Sequence, residues 1–135
     1  MNKIIRSPFQ SPCEVAARDV MPSIRASIAY VLTAEMRLSK YEAAKLLGIT
    51  PAAVANYLER RRGEKYIDEI LKDPEILDKV REAASLALLA KFDQKAYVDF
   101  QRITCLICSS INEAAKAYGC HFIRLMQAEG SALKH

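Results

Sequence analysis

The 135-residue sequence predicts an all-α fold, and three observations support this prediction. Apolar residues recur at the three- and four-residue spacing of amphipathic helices along most of the chain. Residue types that begin and end helices stand at the boundaries of those apolar segments. The chain has only 4 Gly and 5 Pro, too few for the turns of a many-stranded sheet. We therefore expect helices joined by short connections.

Composition narrows the class of protein further. Charged residues make up 27% of the chain and hydrophobic residues 51%, a balance typical of globular helical proteins. No apolar run approaches the length of a membrane span, and the N-terminus carries no signal-peptide pattern. We therefore expect a cytoplasmic protein with one compact domain, or a small domain and an extension.

Helix-boundary residues are densest in the stretch that begins at Ser39, which reads SKYEAAKLLGITPAAVANYLERRR. Ser39 and Glu42 have the spacing of a capping box. Gly48 supplies the positive φ that ends a first helix. Thr50 is the next N-cap, and Pro51 occupies a first helical position where its missing N–H costs nothing. The pattern predicts two short helices joined by a tight turn, a helix-turn-helix.

The apolar residues of this stretch predict how the two helices pack. The first helix has an apolar edge of Ala43, Ala44 and Leu47, and the second a stripe of Val54, Tyr57 and Leu58. The small side chain of Ala44 allows a close crossing. The face opposite Val54 then carries Ala52, Asn56, Glu59 and Arg60. An ordinary αα-hairpin inside a helical bundle is the alternative interpretation.

The stretch resembles the helix-turn-helix of lambda-repressor-like (XRE-type) regulators. More narrowly, Pro12 to Gly63 resembles the N-terminal part of small archaeal predicted transcriptional regulators. The resemblance implies that the second helix enters the DNA major groove. It implies that DNA is faced by Thr50, Ala52, Ala53, Asn56 and Arg60, with Ser39 and Lys40 near a phosphate. Many relatives carry polar residues where this chain has Pro51, Ala52 and Ala53.

Charge is distributed unevenly along the chain. Residues 1–65 hold 11 Lys/Arg against 6 Asp/Glu, a net charge of +5, and the remainder has a net charge of −1. Arg60, Arg61 and Arg62 form a basic cluster at the end of the second helix, with Lys65 close behind. An excess of positive charge in this half is typical of phosphate binding, so we expect these arginines to contact the DNA backbone.

Three segments are predicted: a flexible arm over 1–12, a helix-turn-helix DNA-binding domain over 13–65, and a helical dimerisation and sensor region over 66–135. A helix begins near Glu14, and Pro22 either kinks it or opens a second one. The apolar stripe of the helical stretch after Pro22 comprises Ile24, Ile28, Val31 and Leu32.

The C-terminal segment carries further helix signals. A short helix contains Tyr66, Ile67, Ile70 and Leu71. Asp73 and Pro74 begin a helix that extends to about Lys91. Asp93 caps the next helix, which is about 25 residues long and ends at Gly119. A final helix is predicted from Cys120 to Glu129. The apolar stripe of the long helix comprises Ala96, Phe100, Ile103, Ile107, Ile111, Ala114 and Tyr118.

A long apolar-striped helix after a DNA-binding unit predicts a homodimer, because one such unit buries too little surface on DNA for selectivity. Completion of a monomeric bundle is the alternative.

The four cysteines allow three interpretations. Cys105 and Cys108 share one side of a helix, and Cys120 with His121 follows Gly119. Cys105, Cys108 and Cys120, together with Cys13, His121 or a partner chain, have the donor types for zinc or an iron–sulfur cluster. A redox-active disulfide and simple packing as small hydrophobes are the other two interpretations.

Enzyme chemistry has little support in the sequence. His121 and His135 are the only histidines, and no catalytic triad, paired carboxylate site or phosphate-binding glycine loop is present. The sequence therefore predicts a DNA-binding transcriptional regulator, not an enzyme, that binds double-stranded DNA as a homodimer. The alternatives are a metal, iron–sulfur or redox-sensing regulator, and a helical protein-interaction or antitoxin-like module.

Overall fold

The computed structural model describes residues 11–120, and within that range the chain is helical with no strand, which confirms the all-α prediction. The elements in order are α1 (Pro12–Val15), a π-helical stretch (Ala16–Val20), α2 (Met21–Tyr30), a second π-helical stretch (Val31–Glu35), α3 (Lys40–Leu47), α4 (Pro51–Leu58), α5 (Ile67–Lys72), α6 (Pro74–Ala90), α7 (Gln94–Ile111) and α8 (Glu113–Tyr118). The predicted arm up to residue 10 and the predicted final helix beyond Cys120 lie outside the described residues.

The first helical run continues without interruption from Pro12 to Glu35. It begins two residues before the predicted start, because the Ser11 hydroxyl caps α1 by accepting a hydrogen bond from the N–H of Glu14 at 3.2 Å. Pro22 lies in the first turn of α2, directly after the π-helical stretch. The wider π turn accommodates a residue that has no N–H and whose ring crowds the preceding turn. Pro22 thus opens α2 while the helical backbone continues.

Helix α2 lies at the centre of the fold, with buried residues of different sizes on its two sides. Ile24 and Ile28 are buried as predicted, in a cluster with residues of α6 and α7. Ala26 packs against α4 and α5, and Ala29 packs against α3 and α4. Small side chains allow close approach of neighbouring backbones, so α2 holds the α3–α4 pair on one side and the α6–α7 pair on the other.

Aspartate caps begin the two long helices. The carboxylate of Asp73 accepts hydrogen bonds from the N–H groups of Glu75 and Ile76 at the start of α6. The carboxylate of Asp93 does the same for Lys95 at the start of α7. Each cap satisfies backbone donors that have no partner within the helix. Both predicted starts are confirmed, as is the short helix α5 before them.

The predicted helix of about 25 residues is wrong, because α7 ends at Ile111. Asn112 has an extended backbone, with φ −78° and ψ 107°. Its side chain is buried, donates to the carbonyl of Pro12 at 3.0 Å and accepts from the N–H of Ala115 at 3.4 Å. A short polar side chain that bonds to nearby backbone groups competes with helix continuation. The tertiary contact with Pro12 therefore favours a break, after which α8 begins.

A buried hydroxyl fixes the segment that follows α4. Ser23 Oγ on α2 donates to the carbonyl of Gly63 at 2.8 Å and accepts from the N–H of Tyr66 at 3.0 Å. Gly63 has φ +75°, and a Cβ added there would lie 2.5 Å from the carbonyl oxygen of Pro22. Only glycine allows this approach, so the chain between α4 and α5 lies directly on the start of α2.

We predict that Gly63→Ala destabilises the protein more than Gly48→Ala. Both glycines have positive φ, at +75° and +68°, so alanine is strained at both sites by about 1–2 kcal/mol. A Cβ at position 48 meets nothing within 4 Å, whereas at position 63 it overlaps Pro22 and adds about 1–3 kcal/mol of overpacking. Urea unfolding of both variants measures the difference. Equal losses of unfolding free energy would show that the close approach to α2 contributes nothing.

Candidate functional site

Helix α3 has the predicted signals at both ends. The hydroxyl of Ser39 accepts from the N–H of Glu42 at 3.1 Å, and the Glu42 carboxylate accepts from the N–H of Ser39 at 2.9 Å. These bonds stabilise the charged carboxylate and lower the pKa of Glu42. Gly48 ends the helix with φ +68°, and the N–H of Ile49 donates to the carbonyl of Ala44 at 3.0 Å. The capping box and the glycine termination are confirmed.

Helix α4 crosses α3 at small residues. The hydroxyl of Thr50 caps α4 by accepting from the N–H of Ala53 at 3.0 Å, and Pro51 is in the first turn as predicted. Val54 is fully buried in a cluster with Ala44 of α3 and Ala29 of α2. The predicted close contact between the helices at Ala44 is therefore confirmed. It leaves the opposite side of α4 facing outward.

The predicted DNA-contact residues have different exposures. Exposed residues are Ser39, Lys40, Thr50, Ala52, Arg60, Arg61 and Arg62. Asn56 is half-buried on α4, one position before Tyr57, whose side chain is in the core. Ala53 is also half-buried, because it packs against the cluster of Ala26, Tyr57 and Ile67. Of the side chains on α4 itself, Ala52 and Asn56 are thus the two best placed to reach a ligand.

The α4 terminus turns the basic cluster away from the helix axis. Arg60 has a left-handed backbone with φ +59°. Its N–H donates to the carbonyl of Tyr57 at 3.2 Å, and the N–H of Arg61 donates to the carbonyl of Asn56 at 2.9 Å. This pair of bonds is a Schellman motif, in which glycine usually occupies the left-handed position. An arginine there costs about 1–2 kcal/mol of backbone strain.

The three arginines have acceptors within the chain. Arg60 Nη1 lies 2.6 Å from Asp68 Oδ1, and Arg61 Nη2 lies 2.8 Å from Glu59 Oε1. The guanidinium of Arg62 stands 5.6 Å from the centroid of the Tyr57 ring. The hydrogen bond from Arg60 lowers the pKa of Asp68. Exposed pairs of this kind are weak, so an anion of higher charge can displace the carboxylates.

Sequence reasoning missed two residues of this surface. Asp68 lies eight positions after Arg60 on a different helix, and no periodic pattern links the two. Tyr41, beside Lys40 in the first turn of α3, has an exposed fraction of 75%. The sequence did indicate that Tyr41 is exposed, because this residue lies outside the apolar edge of the helix, and the other faces of an amphipathic helix point to solvent.

All four cysteines border one cavity of about 170 Å³ between α1, α7 and the residue after Gly119. Its lining comprises Pro12, Cys13, Ala16, Ala17, Met21, Cys105, Cys108, Asn112 and Cys120. Cys105 of α7 is therefore partly covered by residues near the start of the chain, among them Cys13 of α1. Burial raises the pKa of Cys105, and raises that of Cys108 to about 11. His121 lies outside the described residues.

The thiols are not preassembled into a coordination shell. Within residues 11–120, no group of three or more His, Cys, Asp and Glu side chains is placed to hold a metal ion. The cavity therefore brings the predicted ligands Cys105, Cys108 and Cys120 to one place, with Cys13, at separations that still need to close.

Exposed apolar residues surround the turn between α6 and α7. This tip patch comprises Leu88, Leu89, Phe92, Tyr97 and Val98, and Phe92 has an exposed fraction of 84%. A groove of about 640 Å³ lies between the tip and α3, and Leu38, Leu46, Leu88 and Tyr97 are part of its lining. The α7 stripe assigned to dimerisation from sequence has Ala96, Ile103, Ile107 and Ile111 buried within the chain instead.

No helix among residues 11–120 has the length and apolar character needed to cross a bilayer. Comparison of the chain with protein-family models, with curated proteins and with solved structures found no match. Function is therefore inferred from the geometry and charge of the residues described above.

Proposed function

We propose that the protein is a DNA-binding transcriptional regulator that reads the major groove with α4. The observation that carries the proposal is the pairing of α3 and α4. Two capped eight-residue helices cross at Ala44 and Val54, and the outer side of α4 ends in three exposed arginines. A short helix on a small domain, with basic residues at its end, has the dimensions and charge that the major groove accepts.

Phosphate contacts are the role of the basic segment. Arg60 and Asp68 have side-chain exposures of 48% and 61%, so water screens their ion pair. A DNA phosphate offers Arg60 a bidentate acceptor within a denser field of negative charge. Exchange of Asp68 for phosphate therefore has little cost. The left-handed backbone of Arg60, unusual for this residue type, directs the cluster out of the helix and towards such a partner.

Base contacts come from fewer side chains. Asn56 is the polar residue in the middle of α4, and its amide has the donor and acceptor pair that matches adenine. Ala52 offers only apolar contact, which suits a thymine methyl group. Ala53 packs inward and adds little. We therefore expect a site that favours A·T pairs and a modest preference between sequences.

Dimerisation is assigned to the tip patch, with a second copy of this chain as the partner. Phe92 is 84% exposed and directly follows Lys91, which lines the groove, so a twofold arrangement lets each copy insert Phe92 into the groove of the other. Lys91, Asp93 and Lys95 at the tip bring charges of both signs. Because both signs are present, a twofold arrangement can pair Lys91 or Lys95 of one copy with Asp93 of the other, which a single-sign patch does not allow.

We predict that Asp68→Asn tightens DNA binding by about two- to fivefold, because Arg60 loses its competing carboxylate. Asp78→Asn is the matched control, since Asp78 is also an exposed aspartate that forms an ion pair with an arginine, Arg81 on α6. Affinity for a duplex at several salt concentrations measures the effect. The gain should vanish when Arg60 is already alanine. Equal gains for both asparagine variants would place Arg60 away from DNA.

We predict that Asn56→Ala removes the preference at one base pair, a loss of ~1–3 kcal/mol of discrimination. Gln101→Ala, an exposed amide in the middle of α7, should leave the preferred site unchanged. Selection of binding sites from a random duplex pool compares the wild type with both variants. An unchanged preference in the Asn56 variant, or a wild-type site made only of G·C pairs, would contradict this assignment.

We predict that Phe92→Ser converts the dimer to a monomer, because the replacement removes the largest exposed apolar side chain of the tip patch. Tyr41→Ser is the control, since Tyr41 is a similarly exposed aromatic residue outside the patch. Sedimentation equilibrium over a range of concentrations gives the mass. A wild-type chain that sediments as a monomer, or a Phe92 variant that remains dimeric, would refute the tip interface.

A further inference from the structure

The four cysteines of the chain converge on one cavity from opposite ends of the described sequence. Cys13 belongs to α1, Cys105 and Cys108 belong to consecutive turns of α7, and Cys120 directly follows Gly119. These positions are separated by up to 107 residues, so their meeting is a result of tertiary folding. The cavity of about 170 Å³ lies among the thiols, and its lining carries all four of them.

We propose that this cavity binds a single thiophilic metal ion, Zn²⁺ by preference, through the sulfur atoms of Cys13, Cys105, Cys108 and Cys120. Four thiolates complete the tetrahedral shell that zinc takes in sites with only cysteine ligands. The proposal does not depend on the proposed DNA-binding function, because it concerns a separate part of the molecule.

The lining favours a soft metal over other ligands. Its side chains supply sulfur from four cysteines and from Met21, one amide from Asn112, and otherwise alanine and proline. None of the lining residues within 11–120 is charged, so no side chain of that part of the chain attracts a phosphate or a carboxylate there. Hard cations prefer oxygen ligands, and among the described lining residues the only side-chain oxygen is that of Asn112. Thiolates select zinc and other soft ions.

Simple packing explains the cavity less well. A buried cysteine that acts as a small hydrophobe fills space against its neighbours. Here Cys105 and Cys108 are both only half-buried beside a cavity that is open to solvent, and Cys13 is exposed at its edge. The thiols therefore do not fill the space between them, and the opening gives a metal ion access to the sulfur atoms.

The ion is expected to bind in two stages. Cys105 and Cys108 are three residues apart on α7, so their sulfur atoms lie on one side of a rigid helix and form the first pair of ligands. Cys13 belongs to the four-residue α1, and Cys120 directly follows Gly119. No three of the candidate ligands among residues 11–120 are placed to hold a metal as they stand. Binding therefore requires these short elements to move until the other two thiols lie within about 2.3 Å of the ion.

The binding step balances without a redox partner. Zn²⁺ and four thiols give a tetrathiolate complex of charge −2 and release four protons to the solvent. No electron is transferred, and no bond other than S–H is broken. Binding joins α1 to α7 and to the end of α8, so we expect the metal to raise the thermal midpoint of unfolding.

Cobalt provides the direct test. The full chain, reduced and stripped of metal under anaerobic conditions, is titrated with Co²⁺. We expect one equivalent to give the thiolate charge-transfer bands and strong visible bands of tetrahedral cobalt, and Zn²⁺ to abolish them. Cys13→Ser is the main variant, because Cys13 is exposed and its loss leaves the core intact. Zinc affinity should fall by more than about 100-fold, which is beyond the roughly 10- to 100-fold effect of losing an outer-shell group.

Ser110→Ala, an exposed residue on the same helix α7, should keep both the spectrum and the affinity. Circular dichroism confirms that each variant is folded. Absence of a tetrahedral spectrum at one equivalent would overturn the proposal. So would a Cys13→Ser variant that binds zinc as tightly as the wild type, or protein purified with iron and sulfide in place of a single ion.

Discussion

The position of the basic segment depends on the contact between Ser23 and the chain around Gly63. The buried hydroxyl of Ser23 forms hydrogen bonds with the carbonyl of Gly63 and with the N–H of Tyr66. Both groups belong to the connection between α4 and α5. Because Gly63 has no Cβ, this segment lies against the carbonyl of Pro22. The orientation of Arg60, Arg61 and Arg62 relative to α4 is thereby set by α2. A side chain at position 63 would lift the segment and move the arginines with it.

Helix α2 can organise the fold because its two sides differ in residue size. Ile24 and Ile28 fill the volume shared with α6 and α7, where burial of large apolar side chains provides most of the stabilisation. Ala26 and Ala29 have small side chains and let α4 approach α2 closely. The α3–α4 pair and the C-terminal helices therefore share one central helix.

The same helical run connects the cysteine cavity with the α3–α4 pair. Cys13, Ala16, Ala17 and Met21 line the cavity near its start, and Ala26 and Ala29 contact α4 further along. Hydrogen bonds of the backbone continue through Pro22 by way of the π-helical stretch. One helical run thus carries contacts to both regions of the molecule.

The sequence by itself determined the helical class, the cap residues and the bounds of the α3–α4 pair, because these depend on residues within one or two turns of each other. Ser39, Gly48, Thr50, Asp73 and Asp93 act through such local bonds. Tertiary structure decided what depends on distant partners: the break at Asn112 through Pro12, the pairing of Arg60 with Asp68, the burial of the α7 stripe, and the meeting of four cysteines. Helical periodicity records which face of a helix is apolar, but not which neighbour covers it.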